Sequence, residues 1–474
     1  MYNKNTIIII HIQSFLVQNV KNSSIIVSVY NDISQFPDFT VMEYSCFMDM
    51  ILKGNICYSE TPEKLRTIEN GYLVCKGKSV AGVFDELPEK YSGSPVTDYG
   101  DCLILPGLCD LHIHAPQYAF RGLGMDMELL DWLNTYTFPE ESKYSELDYA
   151  SKAYSIFTDV IKRSATTRAC IFATLHTPAT VYLMEKLEKT GIVSMVGKVS
   201  MDRNCPDILR QASAEAAYTS TKAWIENTGG RFKNTTPIIT PRFIPTCSDE
   251  LMVRLKQLQE EYSLPVQSHL SENQGEVSWV KELCPQCKTY AHAYDRFGMF
   301  GGSGVPTIMA HCVWCEAPEE KLMKNNGVYV AHCPQSNINL ASGIAPVRKY
   351  IRNGINVGLG SDVAGGCHVS IFRAMSDAVQ SSKLYWRLVD NNDEPLTLNE
   401  AFYLGTAGGG SFFGKVGRFE KDYEFDALVI DDSSIPTTNP LSIEERLARI
   451  VYYSNDSCIR AKYVRGKKVY EGGC

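Results

Sequence analysis

His112 and His114 stand two residues apart in PGLCDLHIHAPQY (106–118), at the end of an apolar run. In an extended strand residues i and i+2 point the same way, so both imidazoles would face one side. Paired polar residues at a strand end can be surface decoration, and the pair alone does not decide for a metal. The other histidines change the balance. The chain has nine, and six of them (His112, His114, His176, His269, His311 and His332) close short apolar β-type runs. Arg242 and Asp362 close two more such runs. Neutral imidazoles and a carboxylate converging from several strands are the donor set preferred by Zn²⁺ or another borderline divalent ion. A catalytic site keeps such donors at an accessible mouth with a position left for water, which a closed structural site does not.

The elements that would position these groups are legible. Eight β-type runs follow one another: 108–114, 166–176, 192–199, 236–243, 264–270, 306–312, 327–333 and 355–362. Between them lie segments such as LDYASKAYSIFTDVIKRS and SDELMVRLKQLQEEY, whose apolar spacing suits amphipathic helices. Eight strand–helix repeats predict a (β/α)8 TIM barrel, whose active site forms at the C-terminal strand ends. A doubly wound sheet is the alternative, but no dinucleotide fingerprint follows the first strand. GGGSFFG (408–414) is a poor phosphate motif and reads as a loop.

Both chain ends carry a different pattern. MILKGNICY, NGYLVCKGKSVAGVF and CLILPG near one end, and EFDALVID and IRAKYVRGKKVYEG near the other, read as short strands. They predict a small β-sandwich domain built from both ends. Ser442 and Glu445 have capping-box spacing and start a helix between the last two runs. The expected division is a poorly integrated extension over 1–47, a first β part over 48–105, the barrel over 106–415 and a second β part over 416–474.

Composition narrows the function classes. A net charge of −8 without a Lys/Arg cluster argues against nucleic acid as a partner and favours a small substrate. No segment is long and apolar enough to span a membrane. NTIIIIHIQSFLV near the N-terminus resembles a signal core but lacks a small-residue cleavage site. Sixteen scattered cysteines, many inside apolar runs, read as reduced thiols of a cytoplasmic protein. Cys284–Cys287 and Cys312–Cys315 are two CxxC pairs that could hold a structural zinc, though the 24 residues between them exceed the usual spacing.

Several of these motifs together resemble the amidohydrolase superfamily: PGLCDLHIHA, SHLSEN, MAHC, AHCPQSN and GLGSDVAGG. More narrowly, HAPQY (114–118), DWLNTYTFPEE (131–141), TPRF (240–243), QSHLSEN (267–273) and SDVAGG (361–366) resemble its barrel-type guanine deaminases. The resemblance covers roughly 48–474. It implies hydrolysis of guanine to xanthine and ammonia by a metal-activated water, with one Zn²⁺ per subunit, Fe²⁺ as the alternative ion, and a homodimer. It assigns His112, His114, His269, His311 and Asp362 to the metal. Glu272 becomes the acid/base that would protonate guanine N3, Asp362, close to the metal or on it, the acceptor of the water proton, and His311 the group that orients the nucleophile, either as a ligand or by hydrogen bond. Substrate binding falls to His114, Ala115, Pro116, Gln117, Arg242, Phe243, His269, Glu272 and Asp362. Arg242 would face the O6/N7 edge, Gln117 would donate and accept together, and Phe243 would stack on the base.

Two departures and two absences qualify the resemblance. Pro116 stands where relatives often carry Ser, and the extension over 1–47 has no counterpart. Binuclear relatives bridge two metals with a modified lysine, typically on strand 4, which here ends in Pro-Arg-Phe. Lys198 on strand 3 is the nearest candidate, so a single metal is the expectation. The H-x-E…P-C-x-x-C signature of the other zinc deaminase fold is absent. Two rival readings remain open: a hydrolase of another amino-substituted ring, and a metal-free binding module.

Overall fold

A computed structural model describes residues 49–302, 304–453 and 456–472. The extension expected over 1–47 lies outside the described residues. Four strands begin the described chain: β1 (Met50–Ser59), β2 (Leu65–Lys76), β3 (Ser79–Phe84) and β4 (Val96–Pro106). Ten strands follow: β5 (Leu108–His114), β6 (Thr166–Phe172), β7 (Val193–Gly197), β8 (Val199–Ser200), β9 (Thr235–Pro237), β10 (Thr240–Pro241), β11 (Val266–Leu270), β12 (Thr307–His311), β13 (Tyr329–His332) and β14 (Asn356–Leu359). Three more close the chain: β15 (Ala427–Ile430), β16 (Ile459–Val464) and β17 (Lys467–Glu471).

The middle strands are parallel and alternate with helices, so this part is α/β. One sheet runs β5-β6-β7-β9, another β11-β12-β13-β14, and β8 pairs with β10. Every residue of β5 and of β6 is buried, as parallel strands covered on both faces require. The two four-stranded sheets are linked at both edges. Ile239 bridges Val266 in parallel, and Gln267 N donates to Ile239 O at 2.9 Å. At the other edge Asp362 N donates to His112 O at 2.8 Å and His114 N to Val363 O at 3.1 Å. The connecting helices form where amphipathic spacing and caps coincide. In Asp249–Tyr262, Leu251, Met252, Leu255 and Leu258 face the core, and the Ser248 hydroxyl accepts from Leu251 N at 3.1 Å.

Strand boundaries differ most from the sequence reading in four runs, of which 355–362 stops at Leu359 and leaves Asp362 in the loop beyond β14. The run 236–243 splits into β9 and β10, because Pro237 and Pro241 cannot donate to a ladder. The run 192–199 breaks between β7 and β8 at Lys198. The run 166–176 stops at Phe172, and His176 instead stands at the N-terminal boundary of the helix Thr177–Thr190 without a side-chain capping bond. GGGSFFG is also not a loop: residues 408–413 are helical. Its glycines serve contact, since a Cβ on Gly408 would lie 2.7 Å from Val357 O and one on Gly410 2.5 Å from Val416 O.

Strands from both chain ends join in one seven-stranded sheet, ordered β17-β16-β15-β4-β1-β2-β3. Its hairpins turn at Gly77 (φ 65°) and at Arg465-Gly466 (φ 50° and 73°), left-handed positions that favour glycine. Ser442 and Glu445 exchange bonds of 2.8 and 3.2 Å ahead of the helix Ile443–Tyr453. Buried charges tie this sheet to the parallel strands. Lys462 on β16 donates to the carbonyls of Ile161, Ser164 and Thr166 at 2.9–3.0 Å, and Arg168 on β6 donates to Asp426 at 2.6 Å. No helix among the described residues is long and apolar enough to cross a membrane.

Candidate metal centre and adjoining cavity

His112 and His114 leave β5 on one side, as the i, i+2 spacing requires, with their Nε2 atoms 3.2 Å apart. His269, in β11, brings its Nε2 to 3.3 Å from that of His114. Asp362 Oδ1 lies 3.1 Å from His112 Nε2 and 3.5 Å from His114 Nε2. His311, at the end of β12, places Nε2 3.7 Å from Asp362 Oδ2 and 3.3 Å from Glu272 Oε2. His311 and Asp362 hold φ of 72° and 46°, left-handed values unusual for residues with a Cβ and common at sites that aim a side chain.

The outer nitrogens orient two of these rings. His269 Nδ1 lies 2.6 Å from Arg242 O and His311 Nδ1 2.9 Å from Asn337 Oδ1, so each Nδ1–H donates outward and the Nε2 lone pair turns inward. Asp110 accepts from His112 N at 3.1 Å and from the Ser361 hydroxyl at 2.6 Å, clamping β5 to the Asp362 loop.

The electrostatics of the cluster fit a bound cation. Burial, then the neighbouring His112, push His114 and His269 well below the ordinary histidine range, so these rings are neutral donors. Burial pushes Asp362 upward, but His112, His311 and His114 outweigh it and hold the carboxyl well below its usual range. A buried carboxylate among converging imidazole nitrogens, with the His114 and His269 rings held neutral by burial, is a set of electron-pair donors that favours a cation. A divalent metal ion supplies the positive charge to such a donor set. His112, His114 and His269 converge within 4.8 Å, as do His112, His311, Cys333 and Asp362. Neither cluster contains Cys284, Cys287 or Cys315.

Glu272 follows β11 and is buried beside His311. Burial, with the charges of Asp362 and Glu276, pushes it well above the ordinary carboxylate range. The Ser342 hydroxyl donates to its Oε1 at 3.2 Å. Its backbone is fixed by Glu276, whose Oε2 accepts from Glu272 N at 2.9 Å and whose Oε1 accepts from the Tyr290 hydroxyl at 2.7 Å.

Beside the donor cluster opens a small cavity. His114, His269, Glu272, His311 and Asp362 form its floor. Gln117, Arg242 and Phe243 stand on its wall with Leu129, Trp132 and Leu133. Arg242 forms a bidentate pair with Glu141, Nη1 to Oε2 at 2.6 Å and Nη2 to Oε1 at 3.1 Å. Gln117 Nε2 donates to the same Glu141 Oε1 at 2.9 Å, and its Oε1 accepts from Ala364 N at 3.2 Å. Phe243 meets Trp279 edge-on, with ring centroids 6.2 Å apart.

Ala115 and Pro116 are buried in the short helical turn Ala115–Phe120 and do not line the cavity; the Tyr144 hydroxyl donates to Pro116 O at 2.9 Å, anchoring the turn that carries Gln117. His112 lies beneath the cavity lining, in the donor cluster. His176 and His332 also end near the strands but do not line the cavity. Lys198 is buried away from it, its Nζ 3.5 Å from Thr221 Oγ1, with burial lowering the amine to about 8.

Sequence reasoning missed Glu141, Glu276, Ser342, Asn337 and Cys333. Glu276 had a signal, since Asn273 and Glu276 have capping-box spacing. Cys333 sits beside His332 in a quoted motif, and Glu141 ends DWLNTYTFPEE, where no spacing rule marks it.

The chain matches the model of the amidohydrolase family over residues 103–469. It is 38% identical over 382 residues to guanine deaminase of Dictyostelium discoideum, covering 79% of this chain and 84% of that one. It is 36% identical over 380 residues to guanine deaminase of Homo sapiens, covering 77% and 82%. Its structure resembles that of guanine deaminase from C. acetobutylicum with guanine bound in the active site, at a TM-score of 0.86 and 45% identity, covering 89% of this chain and 100% of that chain. A family match over most of the chain, joined to a donor cluster at parallel strand ends, leads to one assignment: the chain belongs to the amidohydrolase family.

Proposed function

We propose that the chain is a guanine aminohydrolase, converting guanine and water to xanthine and ammonia. The observation that carries this reading is the shared cavity, with the histidine–carboxylate cluster on its floor and the Arg242–Glu141–Gln117 group on its wall. The names of the relatives, and the guanine in the C. acetobutylicum structure, support the same substrate.

Zn²⁺, with Fe²⁺ as the alternative, is the ion proposed for His112, His114, His269, His311 and Asp362, one per subunit. When bound, such an ion makes water a competent nucleophile near neutral pH. Asp362 stays ionised and accepts the proton that water loses as it attacks the ring carbon bearing the amine. Glu272, kept protonated by burial, donates to ring N3 as electrons move there, and helps deliver a proton to the departing amine. His311, 3.3 Å from Glu272, orients the nucleophile between the two carboxyl groups. Arg242 offers donors to the O6/N7 edge, and Gln117 offers one donor and one acceptor. Phe243 supplies apolar surface for the ring, and Ala115 and Pro116 frame Gln117 through the backbone.

The same reading takes 106–415 as a closed (β/α)8 barrel, supported by the backbone contacts that join the two four-stranded sheets at both edges. Residues 48–105 and 416–474 form a small β-sandwich domain. Supporting it, Leu52, Ile56, Leu73, Phe425 and Tyr463 share one apolar cluster, and Ser79 on β3 bridges Glu424. A cytoplasmic, homodimeric enzyme completes the proposal. The fourteen described cysteines are free, which supports the compartment, and the family resemblance supports the dimer.

The test is to mix purified protein with guanine and follow xanthine and ammonia, with and without a chelator. Stoichiometric formation of both, abolished by the chelator, is expected. No turnover of guanine by metal-replete protein overturns the reading.

A further inference from the structure

We propose that Glu141 sets the ligand preference of the cavity, aligning Arg242 and Gln117 and cancelling the arginine charge so that a neutral purine is favoured over an anionic one. The proposal rests on the guanine reading above. Glu141, Arg242 and Gln117 are 2%, 3% and 2% exposed, so water does little to orient or screen them. They come from three separate elements: the helix Phe138–Ser142, the segment after β10 and the turn after β5.

The hydrogen bonds leave one arrangement. A carboxylate only accepts and a backbone N–H only donates, so Glu141 and Ala364 N together forbid a flip of the Gln117 amide. One N–H and one lone pair of Gln117 then remain for a ligand. The bidentate contact fixes the guanidinium plane, which also lies 5.2 Å from the Phe138 ring centroid. Three donors of Arg242 stay free of Glu141.

Charge is the second consequence. A lone buried guanidinium would draw an anion strongly, because water is excluded. Guanine is neutral near pH 7, whereas xanthine loses a ring proton readily at mildly alkaline pH. With Glu141 paired to Arg242, the wall carries no net charge and gains nothing from binding the product anion. Glu141 is therefore a positioning residue that also favours product release.

The decisive experiment compares wild type, Glu141→Gln and Glu141→Asp in metal-replete protein. Xanthine binding is measured by calorimetry at pH 6 and pH 8, and guanine turnover is measured alongside. For Glu141→Gln, xanthine should bind about tenfold tighter at pH 8 than to wild type, with little change at pH 6. Its KM for guanine should rise about tenfold, with kcat within about threefold. Glu141→Asp keeps the charge with a shorter reach, so it should raise KM while leaving xanthine affinity near wild type. This variant also serves if Glu141→Gln does not fold. Unchanged xanthine affinity in Glu141→Gln, or equal tightening in Glu141→Asp, overturns the proposal. Wild type that binds xanthine but does not turn over guanine overturns the functional reading instead, because calorimetry needs no turnover.

Discussion

On the floor of the cavity, His114 Nε2 faces His112 Nε2 at 3.2 Å and His269 Nε2 at 3.3 Å, with Asp362 the negative group among them. On the wall, Arg242 faces Glu141 at 2.6 Å, and Gln117 is held by partners on both amide atoms. The floor gathers acceptors and lone pairs that a cation completes. The wall pairs its own charges within the chain and is complete before a ligand arrives. On the proposed function the two halves have different work: the floor supplies chemistry that depends on a metal, and the wall supplies selection that does not.

Chelation should separate the halves most strongly. Removing the metal is expected to lower turnover by at least about three orders of magnitude, several kcal/mol of barrier. Far-UV circular dichroism should be unchanged, and added Zn²⁺ should restore activity. Glu272→Gln comes next, with a loss of about 10²–10⁴ in kcat and retained metal by elemental analysis. Normal turnover in that variant would remove Glu272 from the chemistry. On the wall, Arg242→Lys keeps the charge but loses the fork, so kcat/KM for guanine should fall by about 1–3 kcal/mol, mostly through KM. A fall confined to kcat would erase the division between halves.

The smallest effect concerns a charge that neither half uses. Lys198 is buried with one weak hydrogen bond, and its amine is lowered to about 8 from 10.5. Below pH 8 folding must hold a buried ammonium, and that cost is relieved as pH rises from 8 towards 10.5, where only the unfolded lysine is protonated. Lys198→Met should therefore stabilise the fold at pH 7 by up to roughly 3 kcal/mol, with the gain shrinking near pH 10. Denaturant titrations at the two pH values read this directly. A destabilised Lys198→Met would mark the amine as a structural partner.

Much of the parallel framework was legible because period and punctuation agree locally. The run 108–114 coincides with β5, and 264–270 contains β11 with His269 near its end. Legibility failed where a local signal was ambiguous. Three glycines in a row suggest a loop, but at 408–410 they let a helix press against Val357 and Val416. It failed differently on the wall. Glu141 and Arg242 are 101 residues apart, and a glutamate after a proline carries no mark of its future partner.

By itself the sequence determined that His112 and His114 present their imidazoles to one side, since residues at i and i+2 of a strand must share a face, but it did not mark Cys333, which joins His112, His311 and Asp362. It also marked helices such as Asp249–Tyr262 and Ile443–Tyr453, through caps and apolar period. Only the tertiary structure decided which charges meet. The bidentate grip of Glu141 on Arg242, the bond of the Ser342 hydroxyl to Glu272 and the burial of Lys198 each depend on separate segments brought together. Such contacts are set by packing between elements, which residue spacing along the chain does not encode.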